Sequence, residues 1–494
     1  MTVRIIGAGL GGLSAAIHCA AAGHEVVVHE RGPGPGGKAS EVQESGFRFD
    51  TGPSLLTMPF VLEQLYEVAD ATQAERVELL PVDPICRYHF ADGSVLDAAA
   101  DEEALLAQVR AFAPGEDEAL RRFLDYSQRI YELTSDIFLF NSLSDLKKLL
   151  RLRNVPTLLR LPQIDAFRTV HEGVASFFHD TRLRQLFDRY ATYNGSNPYR
   201  APATLNIIPY VEYRLGGFYV RGGMYALVRS LHAIAGRLGV RFHFDSDVEG
   251  LETGDGRVRG LRAAGVFHPA DAVISNADAV YTMTQLAPIS DRAKQKYEKL
   301  EPSCSGLVFL WGVRGVRDTL AHHNIFFSEN YREEFEDIFT RLRAPEDPTV
   351  YVSITSRADS DHAPAGHENW FVLVNMPYLT ESNREDSIRG MRDRILERLR
   401  RAGVDIEEDI VHESVVTPED LEKRYNANRG SIYGISSNAR NAAFLRPRNR
   451  IRSLPGLYLC GGAAHPGGGV PLVMLSGRLA ADAVLADARD RSRG

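Results

Sequence analysis

The stretch "VRIIGAGLGGLSAAIHCAAAGHEVVVHER", residues 3–31, decides the fold. Its apolar pattern predicts a strand over residues 3–6, a helix over 13–22 and a second strand over 26–28, with a glycine turn before the helix. In such a unit the glycines permit a tight turn, a close approach of a pyrophosphate and close helix–strand packing. The helix N-terminus adds free N–H groups and a positive dipole. We therefore predict a β-α-β dinucleotide-binding unit with a phosphate-binding turn formed by Gly7, Gly9, Gly11 and Gly12.

The second predicted strand ends next to an acidic residue, Glu30. A carboxylate there can accept hydrogen bonds from ribose hydroxyls and would repel a 2′-phosphate. Arg31 is expected to contact the dinucleotide or solvent. A purely structural glycine turn is the alternative, because an isolated G-x-G-x-x-G motif is a weak signal. The strand, helix, strand and acid in the required order favour nucleotide binding.

A second glycine loop, "GPGPGGKAS" at residues 32–40, follows directly, and "GFRFDTGPSLL" comes at residues 46–56. By themselves these segments are compatible with a loop and a hairpin. With Gly37 and Lys38, however, the loop would wrap an extended dinucleotide further than nicotinamide enzymes usually need. Its order resembles the GR2-type FAD-binding fold, in which E-R-x-x-x-x-G-G-[KR] follows the first unit. We therefore expect FAD rather than NAD.

The end of the chain carries a further glycine-rich segment, "LYLCGGAAHPGGGVPLVMLSGRLAADAV", residues 457–484. A strand over 457–460 and a helix from about residue 472 are predicted, and the helix N-terminus would point N–H groups at the flavin. The first turn would thus serve the ADP end of FAD and this segment the flavin end. His465 either assists proton transfer or is a structural histidine that orients the loop. The predicted flavin-end residues are Gly461, Gly462, Gly468 and Val470.

Composition narrows the function classes. The 494 residues suggest two or three subdomains, and a net charge of −8 argues against nucleic-acid binding, which needs a basic face. No signal peptide and no spanning helix are expected.

Adjacent His322 and His323 would point to opposite faces of a strand, so we predict no metal site. The chain has four cysteines, Cys19, Cys86, Cys304 and Cys460, which lie far apart in the sequence. This spacing argues against a disulfide framework and a zinc site, and it favours a reducing cytoplasm.

The remaining patterns predict an α/β protein with a GR2-type FAD-binding Rossmann-like fold, an inserted, mostly helical region and an antiparallel-sheet substrate domain. Within the insert, leucines alternate with lysines and arginines over residues 143–153. This pattern is typical of a membrane-interface helix, and equally of a solvated helix that covers the core. The predicted parts are FAD-binding at 1–80, 216–285 and 426–494, a substrate-binding, membrane-facing insert at 81–215 and the sheet domain at 286–425.

Several motifs together resemble the bacterial carotenoid desaturase family, the phytoene-desaturase-like FAD flavoproteins. They are "IIGAGLGGLSAAI", "PGGKA", "FDTGPS", "RGGMYALV", "SNAD" and, most specifically, "HPGGGVP" at residues 465–471. The match runs almost end to end. "GSIYGISSN" and "AAFLRP", within residues 428–450, look most like the 1-hydroxycarotenoid 3,4-desaturase branch.

The resemblance implies insertion of carbon–carbon double bonds into a C40 or C30 polyene drawn from the membrane, by hydride transfer to FAD. Quinone or oxygen would be the final acceptor, and the protein would be cytoplasmic and peripherally attached to the inner face of the cell membrane. It also implies a strand near Val248 that passes the adenine. Asp145 matches an acid proposed to stabilise the carbocation, although "SLSDLKKL" equally suits a helix N-cap.

Other functions remain open. A phytoene or C30 diapophytoene desaturase, a flavin-dependent polyene isomerase or saturase, and a non-catalytic prenyl-lipid-binding protein like the GDP-dissociation inhibitors are the alternatives. Amine oxidation is disfavoured, because Gly461, Gly462 and Ala463 stand where many amine oxidases carry an acid.

Overall fold

The computed structural model describes residues 1–135, 139–141, 161–384, 388–439 and 446–493. Its strands form two larger sheets, of five and seven strands, and three small ones of two or three strands. In chain order the strands are β1 (Thr2–Ile6), β2 (Glu25–His29), β3 (Glu41–Glu44), β4 (Phe47–Asp50), β5 (Leu56–Thr57), β6 (Leu79–Pro81), β7 (Cys86–His89), β8 (Val95–Ala98), β9 (Gly217–Val220), β10 (Arg241–His243), β11 (Val248–Gly254), β12 (Arg257–Ala263), β13 (Val266–Pro269), β14 (Ala272–Ser275), β15 (Ser305–Arg314), β16 (His323–Phe326), β17 (Val350–Ile354), β18 (His367–Met376), β19 (Ile410–Val416) and β20 (Leu457–Leu459).

The α-helices alternate with these strands or form a separate layer. They are α1 (Leu10–Ala21), α2 (Pro59–Val68), α3 (Glu102–Phe112), α4 (Asp117–Thr134), α5 (Val170–Ala175), α6 (Thr181–Asp188), α7 (Ile208–Tyr213), α8 (Met224–Arg237), α9 (Ala279–Tyr281), α10 (Asp291–Glu298), α11 (Tyr331–Glu336), α12 (Met391–Arg401), α13 (Pro418–Tyr425) and α14 (Val470–Arg493). No helix within the described ranges is both long enough and apolar enough to cross a lipid bilayer.

The first sheet is parallel, with the strand order β10-β2-β1-β14-β20. β1 is central, and Ile6 lies beside both His29 of β2 and Ser275 of β14. Helices α1, α8 and α14 pack on one face, and the small β11-β12-β13 sheet packs on the other. Because both faces are buried, the strands are rich in valine and isoleucine. The predicted Rossmann-like unit is confirmed, and β10 and β14 return to it as expected.

Both helices next to the glycine segments begin earlier than predicted. α1 begins at Leu10 rather than residue 13, because Gly9 is extended (φ −69°, ψ 173°) and the chain turns into the helix directly after it. Gly12 therefore lies in the first turn, where an added Cβ would be 2.0 Å from the carbonyl oxygen of Gly7. α14 begins at Val470 rather than near residue 472.

A second, seven-stranded sheet has the order β19-β15-β18-β17-β16-β7-β8 and is antiparallel except where β16 pairs with β7. The predicted antiparallel sheet in 286–425 is thus present, but β7 and β8 come from the segment predicted to be a mostly helical insert, 81–215. The prediction that this part is helical is therefore wrong for β7 and β8. Without β7, β16 would be an edge strand with unpaired backbone groups, and pairing with β7 satisfies those groups.

The rest of that segment follows the prediction where it is described. Helices α3 to α7 pack around an aromatic core that includes Phe123, Phe178 and Phe187. The leucine- and lysine-rich stretch 143–153 and Asp145 lie outside the described residues.

Candidate functional site

One cavity of about 480 Å³ joins the parallel sheet to the seven-stranded sheet. Of the residues predicted for cofactor binding, the following line it: Gly7, Gly9, Glu30, Arg31, Gly37, Lys38, Val248, Gly462, Gly468 and Val470. The two glycine-rich ends of the chain therefore meet at a single site, as predicted. Contact of Val248 with an adenine stays a prediction.

The first glycine turn has the geometry of a phosphate cradle. Gly7 has a φ of +91°, which favours glycine, and an added Cβ on Gly9 would lie 2.8 Å from Asn276 Nδ2. α1 starts there without a side-chain cap and without an acid in its first turn. Its first N–H groups are therefore available to an anion.

Glu30 is fixed at the end of β2 by two backbone amides. Its Oε2 accepts a 2.7 Å hydrogen bond from the N–H of Ala8, and its Oε1 accepts one of 2.8 Å from the N–H of Gly32. A carboxylate oriented in this way retains lone pairs for ribose hydroxyls. Arg31, which was expected to contact dinucleotide or solvent, donates a 2.7 Å hydrogen bond to Asn426 Oδ1 and also lines the cavity.

Asn276 connects the two glycine segments, a role that the sequence reasoning missed. It follows β14, and its N–H donates a 2.8 Å hydrogen bond to the carbonyl oxygen of Ile6. A Cβ added to Gly11 would lie 2.5 Å from Asn276 Oδ1, and a Cβ added to Gly461 would lie 2.6 Å from the same atom. These two glycines, predicted to bind cofactor, make room for the asparagine and are not among the described residues that line the cavity. The polar residue directly after a buried strand, in "SNAD", was the available signal.

Lys38 is half-buried beside the C-terminal part of the site. Its Nζ donates hydrogen bonds to the carbonyl oxygens of Ile432 (2.7 Å) and Ser431 (3.1 Å). Burial lowers its pKa to about 8, although the nearby Asp278 carboxylate opposes the shift. Burial raises the pKa of Asp278, against the effect of Lys38. The two groups therefore form a half-buried, partly compensated charge pair at the cavity wall.

A second cation, Arg446, is fully buried next to the C-terminal glycines. Its Nη1 donates hydrogen bonds to the carbonyl oxygens of Gly462 (2.8 Å) and Tyr433 (2.9 Å). Burial lowers its pKa to about 10, so it remains charged at neutral pH. With Lys38 and Asp278 it gives this end of the cavity a net positive charge, which would stabilise an electron-rich isoalloxazine ring bound there.

His465 is buried, and its Nε2 lies 3.1 Å from the carbonyl oxygen of Asn141. Its own carbonyl accepts hydrogen bonds from Asn449 Nδ2 (2.8 Å) and Ser476 Oγ (2.7 Å). Burial lowers its pKa to about 4. It is not among the described cavity residues, and this position supports the structural alternative. A catalytic role for His465 stays a prediction, as it does for Asp145, which lies outside the described residues.

The floor of the cavity is one face of the seven-stranded sheet. Five residues from five adjacent strands lie in register and line it. Four of them are aliphatic and one is a tyrosine. In sheet order they are Val416, Val308, Leu373, Tyr351 and Ile325.

The histidine pair is placed differently from the prediction. The rings of His322 and His323 lie 4.5 Å apart, because His322 precedes β16 and is not subject to strand alternation. Within the described ranges, no group of three or more histidine, cysteine or acidic side chains is arranged to hold a metal ion.

The cradle at Gly9, the acid at the end of β2 and the cations near Gly462 fit the phosphate, ribose and flavin parts of FAD. The comparison with known families agrees. Residues 10–485 match the family described as flavin containing amine oxidoreductase.

The individual relatives of this chain belong to a narrower group of enzymes than the family as a whole. The chain is 38% identical over 490 residues to a 4,4′-diapolycopene oxygenase of Methylomonas sp., covering 98% of each chain. It is 37% identical over 482 residues to a 1-hydroxycarotenoid 3,4-desaturase of Flavobacterium sp., covering 97% of this chain and 98% of the relative. It is also 34% identical over 496 residues to a 4,4′-diaponeurosporene oxygenase of Staphylococcus aureus, covering 99% of each.

Solved structures share the fold. An oxidoreductase from Methanosarcina mazei superimposes with a TM-score of 0.66 at 19% identity, covering 98% of this chain and 100% of that chain. A putrescine oxidase variant does so with a TM-score of 0.64 at 14% identity, covering 99% and 100%. The predicted fold class is confirmed. The chain belongs to the flavin-containing amine oxidoreductase family, and it is an FAD-dependent oxidoreductase of the carotenoid-desaturase-like type.

Proposed function

We propose that the protein is a carotenoid desaturase that removes two hydrogens from adjacent carbons near the end of an acyclic polyene, specifically in the 3,4-desaturation of a 1-hydroxycarotenoid. The observation that carries the proposal is the continuity of the cavity. The same space is lined by the FAD-binding glycines and by the aliphatic row on the seven-stranded sheet. A long hydrocarbon can therefore lie beside the cofactor.

The four aliphatic residues of this row suit a polyene because they offer dispersion contacts, and the hydroxyl of the fifth residue, Tyr351, is already paired with Ser54 and His323. Val308, Leu373 and Ile325 would hold the chain against the sheet and exclude water from it. When bound, FAD accepts the hydride that leaves the allylic C–H bond. The positive charge around Lys38 and Arg446 stabilises the electrons that arrive with it.

The reaction also releases a proton from the neighbouring carbon, and a base must accept it. Asp145 remains the proposed residue for stabilising the positive charge on the polyene. An external acceptor would have to take up the two electrons removed from the polyene, and for this role we retain quinone or oxygen. Because the substrate resides in a bilayer, we place the protein in the cytoplasm, peripherally attached to the inner face of the membrane.

A second candidate is oxidation of a terminal methyl group of a C30 or C40 polyene. It is favoured by the two relatives named oxygenases, one of which is 38% identical to this chain. Both candidates place the reaction near an end of the polyene. Phytoene desaturation and flavin-dependent isomerisation or saturation remain alternatives, whereas membership of an FAD-dependent family disfavours a non-catalytic lipid-binding role.

Pigment analysis tests the proposal. The full chain is expressed in bacteria that make phytoene, neurosporene, 1-hydroxyneurosporene or 4,4′-diaponeurosporene, and extracted pigments are examined by absorption and mass spectrometry, with vector-only strains as controls. We expect a red shift and loss of two hydrogens with 1-hydroxyneurosporene alone. Gain of oxygen by the C30 pigment would favour the second candidate. Colour from phytoene, or unchanged pigments with flavin bound, would contradict the proposal.

A further inference from the structure

A group of buried polar side chains lines the part of the cavity that faces β7 and β16. Arg189 Nη2 donates a 2.8 Å hydrogen bond to the Tyr88 hydroxyl and lies 3.5 Å from Glu212 Oε1. Glu212 Oε1 accepts a 2.7 Å hydrogen bond from the Tyr190 hydroxyl, and Oε2 accepts one from Tyr193. Arg189 and Glu212 are 8% and 1% exposed. The acid is therefore fully engaged by its neighbours, whereas the guanidinium is held in place by only part of its donors.

His323 lies on the same wall. Its Nδ1 is 2.8 Å from the Tyr351 hydroxyl, which is 2.6 Å from Ser54 Oγ. Burial lowers the pKa of His323 far below its ordinary value, with a smaller contribution from His322. The imidazole is therefore neutral, and its Nδ1 is hydrogen-bonded to the Tyr351 hydroxyl.

Two polar atoms in this group lack a partner. Arg189 Nε and His323 Nε2 are buried without a hydrogen bond to any described residue. Both residues line the cavity, together with Glu212 and Tyr193. Unpaired buried polar atoms destabilise a fold, and a pure hydrocarbon in the cavity would leave these two unpaired. A ligand oxygen can pair with them.

The polar group lies a short distance from the FAD-binding segment. Arg189 starts a 3₁₀-helix, Arg189–Asn194, and Asn194 at its end accepts a hydrogen bond from Arg446, which also bonds Gly462. The five residue steps from Arg189 to Asn194 span about 10 Å along the axis of a 3₁₀-helix. A substrate end group near Arg189 would thus leave carbons close to the end of the polyene, rather than its middle, beside Gly462.

We propose that Arg189, Glu212, Tyr193 and His323 form a subsite for an oxygen-bearing end group of the polyene, a hydroxyl or a carbonyl. Arg189 donates to the oxygen, Glu212 and Tyr193 hold the guanidinium in position, and His323 makes a second hydrogen bond. The proposal rests on the proposed function and adds to it the recognition of an oxygenated end, which selects the substrate and sets which carbons reach the cofactor.

The test compares a matched pair of ligands, 1-hydroxyneurosporene and neurosporene, on the purified FAD-loaded protein. Affinity is measured by quenching of flavin fluorescence, and reaction by anaerobic bleaching of the flavin absorbance. A hydrogen bond to a charged group predicts that wild type binds the hydroxylated polyene about 10- to 100-fold more tightly. In Arg189→Met this preference is lost while binding of neurosporene changes little.

Controls separate recognition from folding. Arg398→Met removes another buried arginine, which also has an unpaired Nε but is not among the described cavity residues, and should keep the preference. His323→Phe removes the second hydrogen bond without changing charge, and serves if Arg189→Met does not fold. Equal affinity of wild type for both ligands, or equal weakening of both by the variants, would overturn the subsite. Absence of bleaching with a retained affinity difference would instead overturn the proposed desaturation.

Discussion

The ammonium group of Lys38 donates a 2.7 Å hydrogen bond to the carbonyl oxygen of Ile432, a residue 394 positions later in the chain. This contact joins the second glycine loop to the C-terminal part of the chain that was predicted to bind FAD, residues 426–494. Because the side chain is only partly exposed, the charge of the ammonium is incompletely screened by water and acts on whatever lies in the cavity.

Lys38→Met removes this charge from the cavity wall. We expect the flavin reduction potential to become more negative by about 30 mV, which corresponds to about 1.4 kcal/mol for a two-electron couple. Since the pKa of Lys38 is lowered to about 8, the difference from wild type should narrow as pH rises above that value. Spectroelectrochemical titration between pH 7 and 9 measures it. Lys299→Met, an exposed lysine, is the control; an unchanged potential in Lys38→Met would contradict the prediction.

Gly9→Ala tests the phosphate cradle without straining the backbone. Gly9 has an ordinary φ of −69°, but the new Cβ would lie 2.8 Å from Asn276 Nδ2 and occupy space that the pyrophosphate needs. FAD affinity should fall by at least about tenfold, about 1.4 kcal/mol. Gly236→Ala, in α8 with nothing within 4 Å, should leave FAD binding intact and slightly raise stability. Fluorescence titration of the apoprotein with FAD measures both affinities. Similar FAD affinities in Gly9→Ala and Gly236→Ala would refute the assignment of Gly9 to the phosphate cradle.

Leu373→Trp places a large ring on the aliphatic row, where Leu373 pairs with Val308 and Tyr351. The polyene should be excluded while FAD still binds, because the substitution lies on the sheet and not in the glycine segments. Conversion of the pigment substrate is expected to fall about tenfold or more, measured alongside flavin content. Val411→Trp, an exposed residue of β19, controls for the added indole. Full conversion by Leu373→Trp would argue against this face as the substrate floor.

His465→Gln tests the buried neutral histidine. Its pKa is about 4 in the folded protein, well below the ordinary value near 6.5, so between these values the unfolded chain binds a proton that the folded protein does not. His465 therefore lowers wild-type stability as pH falls through this window. The variant should lose less stability on acidification, by about 1 kcal/mol per pH unit. Denaturant unfolding from pH 7 to 4.5 measures the slopes, and identical slopes would show that His465 titrates normally.

The sequence alone was enough to predict the FAD-binding unit and the two glycine-rich segments assigned to the ADP and flavin ends of FAD. Gly7, Glu30 and Lys38 could be assigned because glycine spacing, a strand-terminal acid and apolar periodicity are local patterns, and local backbone geometry follows from them. The same holds for the helix after the C-terminal glycines and for the family resemblance carried by "HPGGGVP".

Only the tertiary structure decided which distant residues share the cavity. Three features depend on contacts between elements far apart in the chain: Asn276 between the two glycine segments, β7 beside β16 in the second sheet, and Arg189 with Glu212 and His323. No local pattern encodes such contacts, because burial and the pairing of polar groups are properties of the packed whole. The substrate-recognition part of the site therefore became visible only in three dimensions.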